Sequence, residues 1–99
     1  MNLEEAAKLA QQKYPFGYDP EEDGCDLLGY KSPTEVAFLI YHKEGFAAGN
    51  LGSYAAYLVN METREVVMHG SSTFPDAIKD YVESPYNQQR LAQEAKQTG

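Results

Sequence analysis

Cys25, His42 and His69 are the side chains whose types could support nucleophilic catalysis, because a thiolate needs an imidazole within hydrogen-bond reach. Nothing local pairs them. Cys25 instead stands between Asp23 and Asp26, whose negative charge raises a thiol pKa, so it reads as an incidental thiol and the chain as a non-enzyme. The run Asp19-Pro20-Glu21-Glu22-Asp23-Gly24 imitates the start of a calcium loop, with oxygens at positions 1, 3 and 5 and glycine at 6. Position 12 of such a loop must be a bidentate Glu, and here it is Tyr30, so a solvated acidic loop is expected rather than a metal site. Gly45, Gly49 and Gly52 match neither phosphate-binding glycine pattern, and a single cysteine excludes a disulfide framework or a cysteine-rich zinc site. No cofactor is expected.

What remains is recognition. Asp19, Glu21, Glu22, Asp23 and Asp26 place five acids close together with no Lys or Arg among them. Against 8 Lys and Arg the chain carries 15 Asp and Glu, a net charge of −7. A field of that sign repels phosphate backbones and anionic lipid, so neither nucleic acid nor a membrane surface is an expected partner. It steers a basic protein partner toward the chain, and clustered acids give association rate and specificity more than affinity. Among the eight tyrosines, Tyr41, Tyr54 and Tyr57 lie on strand-like segments and could present rings to a partner. Strand alternation cannot bury Tyr54 and Tyr57 on one face.

These residues need a frame. Leu3, Ala6, Ala7, Ala10 and Tyr14 repeat at helical spacing, with Glu4 and Glu5 in the first turn and Lys13 in the last. Pro15 and Gly17 end that helix, and residues 16–26 read as a loop. Strands are expected over 26–31, 35–42, 54–60 and 65–69, the last two joined as a hairpin. In 35–42 Val36, Phe38 and Ile40 share one face while Ala37, Leu39 and Tyr41 share the other, so the strand is central or covered twice. Residues 42–53 read as a glycine-rich connection. Thr73 opens a second helix, with Asp76 completing a capping-box pattern, and Ser84-Pro85 stops it. Residues 84–99 hold few apolar residues and are expected to be a polar tail or marginal helix beyond a single domain at 1–83.

The expected architecture is α+β: an antiparallel sheet of three to four strands with an N-terminal and a C-terminal helix on one face. The other face would carry Tyr41, Tyr57 and Val67, apolar surface open to a partner, a homodimer or the tail. The opening Met1-Asn2-Leu3-Glu4-Glu5 puts acid where a signal peptide needs base, and no apolar run approaches membrane-spanning length, so a cytoplasmic location is expected.

Gly49-Asn50 leading into Tyr54-Ala55-Ala56-Tyr57-Leu58-Val59-Asn60, then Glu62-Thr63-Arg64-Glu65-Val66-Val67, His69-Gly70-Ser71-Ser72 and Phe74-Pro75-Asp76-Ala77-Ile78-Lys79-Asp80-Tyr81, form a pattern over about residues 35–82. It resembles the bacterial immunity protein 35 family, which includes the small YrhB-like proteins. Arg64 departs from that pattern where glycine is common, as does Phe38 where the pattern often has Trp. The resemblance brings no catalytic residues. It implies an antitoxin that neutralises a cognate toxin by stoichiometric binding, with the residue 19–26 acids and the tyrosines as contacts. The competing reading is a holdase-like chaperone using the apolar second face.

Overall fold

Helix α1 (Leu3–Gln12) starts where Asn2 accepts a hydrogen bond from the Glu5 backbone N–H at 2.8 Å, satisfying one of the orphan donors of a helix N-terminus. The computed structural model, which describes residues 1–98, continues with β1 (Asp23–Ser32), β2 (Glu35–His42), α2 (Lys43–Ala47), a 3-10 turn (Leu51–Ser53) and β3 (Tyr54–Asn60). The hairpin strand β4 (Val66–His69) and helices α3 (Phe74–Val82) and α4 (Pro85–Thr98) complete it. The four strands pair antiparallel in sequence order, β1-β2-β3-β4, so the chain is an α+β fold.

Period-2 alternation assigns the two faces. Val36, Phe38 and Ile40 of β2 meet Tyr57 and Val59 of β3 beneath Ala6 and Ala10 of α1, and this is the core. Alanines in the helix stripe let α1 lie close to the sheet. On the opposite face lie Gly29, Ala37, Ala56 and Tyr54, and α3 covers them: a Cβ at Gly29 would stand 2.6 Å from the Tyr81 carbonyl oxygen, and Tyr54 meets Phe74 edge-on at 5.6 Å. Helices therefore cover both faces rather than one. The second face is covered where α3 lies on it, through Phe74 against Tyr54 and the Tyr81 backbone against Gly29, while Val67 at its β4 edge stays 49% exposed.

Strand β1 begins three residues earlier than its apolar residues suggest. Gly24 permits this, since the Tyr41 ring lies over it and a Cβ there would come within 2.2 Å of a ring carbon. Register shifts between Leu27 and Gly29, and between Tyr30 and Ser32, keep Leu27 and Tyr30 on the α1 side while turning Gly29 toward α3.

The segment expected as a polar tail or marginal helix forms α4 and caps the β1 edge at Tyr30. Ser84 Oγ donates to the Tyr30 carbonyl and accepts from the Asn87 N–H at 3.0 Å, so it caps α4. Asn87 Oδ1 accepts from the Tyr30 N–H at 3.1 Å, and its Nδ2 donates to the Val82 carbonyl at 2.9 Å. Two side chains thus replace the neighbouring strand that Tyr30 lacks, and Asn87 is only 1% exposed. Arg90 sits 4.8 Å above the Tyr30 ring, with Nη1 on Glu94 at 2.6 Å. Polar composition concealed this helix because its anchor is hydrogen bonding rather than an apolar stripe. Thr73, by contrast, makes no capping bond; its Oγ1 lies 3.1 Å from His69 Nδ1 instead.

Candidate functional site

A groove of about 890 Å³ opens at the end of the sheet where β1 and β3 begin and β2 and β4 end. Its walls come from three connections. Residues 14–19 leave α1 with Tyr14 and the 80% exposed Phe16, held edge-on to each other at 5.7 Å. The 42–54 connection contributes His42, Ser53 and Tyr54, and β4 with its following turn contributes Met68, Ser71 and Ser72. Asp19, Glu22 and Asp23 line its acidic side, and among the described residues no Lys or Arg lines it.

The acidic side is a built turn. Asp19 accepts from the Glu21 N–H through Oδ1 at 3.0 Å, while its carbonyl accepts from the N–H groups of Glu22 at 3.0 Å and Asp23 at 2.7 Å. Lys43 Nζ donates to the carbonyls of Pro20 at 3.1 Å and Glu21 at 3.5 Å, and its backbone N–H donates to Glu22 O at 2.9 Å. Backbone carbonyls, rather than carboxylates, therefore hold Lys43. The side chains of Asp19, Glu21 and Glu22 belong to exposed residues and keep their charge at the surface.

Asp23 has a different role from its neighbours. It is 5% exposed and spends both carboxylate oxygens internally, accepting from Tyr14 Oη at 3.1 Å and from the Asp19 N–H at 2.9 Å. Burial and this bond push the Tyr14 pKa up to about 12, since the phenolate would face a carboxylate in a partly desolvated site. Asp23 is a tether between α1, the turn and β1, and it is removed from the docking set. Asp26 is exposed but pairs with Leu39 on the α3 side of the sheet, away from the turn. Its carboxylate holds the Tyr41 hydroxyl, and that hydrogen bond, ahead of burial, raises the Tyr41 pKa.

The three tyrosines also separate. Tyr57 is 1% exposed, pairs with Phe38 on the α1 face and has its pKa raised by burial, so it is core and not a partner contact. Tyr41 and Tyr54 are cross-strand neighbours on the other face, half-buried, and Phe46 of α2 joins them at centroid distances of 5.0 and 5.5 Å. Tyr54 reaches the groove as well. Sequence reading misses Phe16 and Met68; an aromatic between Pro15 and Gly17, outside any periodic stripe, was the available signal for the first.

Cys25 does not belong to this site. It pairs with Ile40 on the α1 face, does not line the groove, and has its pKa raised by burial, with a Gln11 hydrogen bond opposing. His42 Nδ1 accepts from the Gly45 N–H at 3.2 Å, which makes it the cap of α2 and leaves the proton of its neutral ring on Nε2. Among the described residues no group of three or more His, Cys, Asp and Glu is placed to hold a metal ion, and no helix is long and apolar enough to cross a membrane. Comparison with known proteins finds no matching family model, no matching curated protein and no matching solved structure.

Proposed function

We propose that this chain is an immunity protein of the cytoplasm: an antitoxin that binds a cognate bacterial toxin one to one and occludes its active site or an essential surface. The observation that carries this reading is the rigid acidic turn beside an open groove. Asp19, Glu21 and Glu22 are fixed by backbone hydrogen bonds while their residues stay exposed, and Phe16, Met68 and Tyr54 offer apolar contact next to them. Charge at a rim around apolar anchors is the usual anatomy of a specific interface, and the charge selects a basic partner. The resemblance over residues 35–82 supports the same reading. The holdase alternative has less apolar surface to work with, because α3 lies over Gly29 and Tyr54 on the face it requires.

The test is co-expression with the toxin encoded beside this chain's own gene. Cells survive with the wild-type chain, and the Asp19→Asn, Glu21→Gln, Glu22→Gln triple variant protects less at equal expression. Unprotected cells, with the chain folded and abundant, would refute the proposal.

A further inference from the structure

The two edges of the sheet are treated differently. At β1, Ser84 and Asn87 occupy the outward carbonyl and N–H of Tyr30. At β4 nothing equivalent happens. The Asn60 N–H donates to Glu65 O at 2.9 Å, and the register places Val67 opposite Leu58 and His69 opposite Ala56. Hydrogen-bonded pairs alternate along an antiparallel ladder, so Val67 and His69 exchange bonds with β3 while the N–H and C=O groups of Val66 and Met68 point away from it. Among the described residues, no side chain or backbone group bonds to them. Val67 is 49% and Met68 51% exposed, so an apolar strand edge faces solvent.

We infer that β4 is a self-association edge, and that a second copy of this chain adds across it to continue the sheet about a two-fold axis. The strand's own sequence argues for this occupant. Satisfying all the outward groups requires Val66 to pair with Met68 of the second copy and Met68 with its Val66, which sets Val67 against Val67 on the axis. In that register apolar meets apolar on both faces. Glu65 then stands opposite His69 of the second copy, a carboxylate acceptor across from an imidazole ring, and the two copies make this pair twice. A register shifted by two residues strands one of the outward groups and breaks the Glu65–His69 match. The strand is short, so the dimer is weak, in the class of small transient interfaces. Each copy carries −7, so added salt strengthens the dimer by screening, opposite to its effect on a complex with a basic protein.

Sedimentation equilibrium of the full chain from micromolar to millimolar concentration tests the inference. A concentration-dependent monomer–dimer equilibrium that tightens with salt is expected. Met68→Pro removes an outward N–H without touching the β3 ladder and weakens the dimer about tenfold to a hundredfold, because the symmetric interface loses the bond twice. Val67→Lys sets like charges on the axis and gives monomer, and this half-exposed site holds the test should the proline variant fold poorly. Amide exchange at Val66 and Met68 slows as concentration rises. A chain that is monomeric throughout overturns the inference. So does a dimer that Val67→Lys leaves intact, which would place the contact elsewhere, such as the groove.

Discussion

Replacing Asn87 by alanine removes the main tie between α4 and the sheet. The Tyr30 N–H loses its acceptor at 3.1 Å and Arg90 Nη2 loses one at 3.2 Å, whereas the Val82 carbonyl keeps Gln88 Nε2 at 2.9 Å. The cost is therefore dominated by one stranded, part-buried N–H, about 2 kcal/mol, with the helix carbonyl contributing little. For a domain of this size each kcal/mol shifts the melting temperature by about 4–8 °C, so Asn87→Ala melts about 8–16 °C lower than wild type. Asn87→Asp keeps the acceptor for Tyr30 but turns the donor into a carboxylate oxygen facing the Val82 carbonyl at 2.9 Å in a site only 1% exposed, so it costs at least as much as alanine. Urea denaturation and calorimetry of the three proteins decide it. If Asn87→Ala lies within about 0.5 kcal/mol of wild type, α4 is an appendage and its hydrogen bonds do not secure the β1 edge.

Other outcomes follow from the same geometry. Arg64 holds φ +66° in the β3–β4 turn, where a side chain is strained, so Arg64→Gly stabilises the protein by about 0.5–1 kcal/mol in urea denaturation. Gly29→Ala drives a methyl into the Tyr81 carbonyl at 2.6 Å, which is helix backbone and cannot step aside; a loss of about 2–3 kcal/mol and loosened α3 amides in hydrogen exchange are expected. The Tyr14 pKa, near 10 when unfolded and about 12 in the fold, makes the folded state the tighter proton binder. Its contribution is complete below pH 10 and is lost as pH climbs to 12, a fall in stability that phenolate absorbance should track and Tyr14→Phe should reduce.

Strand β2 was the most legible element, because both its faces are apolar and its bounds follow from that. The α+β order and the hairpin were equally readable. The second covering helix was not: amphipathicity in α3 reveals that it packs, never on which side, and the decisive contact is backbone against Gly29. Helix α4 was obscured because two hydrogen-bonding residues, Ser84 and Asn87, do what an apolar stripe ordinarily does. At the site, the acids looked like one cluster. A strand starting at Asp23 divides them, since alternation sends Asp23 inward beside Tyr14 and Asp26 to the opposite face, leaving Asp19, Glu21 and Glu22 on the turn. Strand alternation alone leaves the face of Tyr57 open, because its register with Phe38 depends on pairing that one strand's pattern does not specify.

The proposed neutralisation by binding rests on the acidic turn, and titration calorimetry for stoichiometry together with stopped-flow association kinetics of the purified toxin with this chain addresses it most directly. The account requires a one-to-one complex whose association slows with salt. It also requires the Asp19→Asn, Glu21→Gln, Glu22→Gln variant to associate on the order of tenfold more slowly while its urea midpoint is unchanged, because asparagine can keep the Asp19 turn bond. Equal association by the two proteins, or no heat of binding at all, would contradict it.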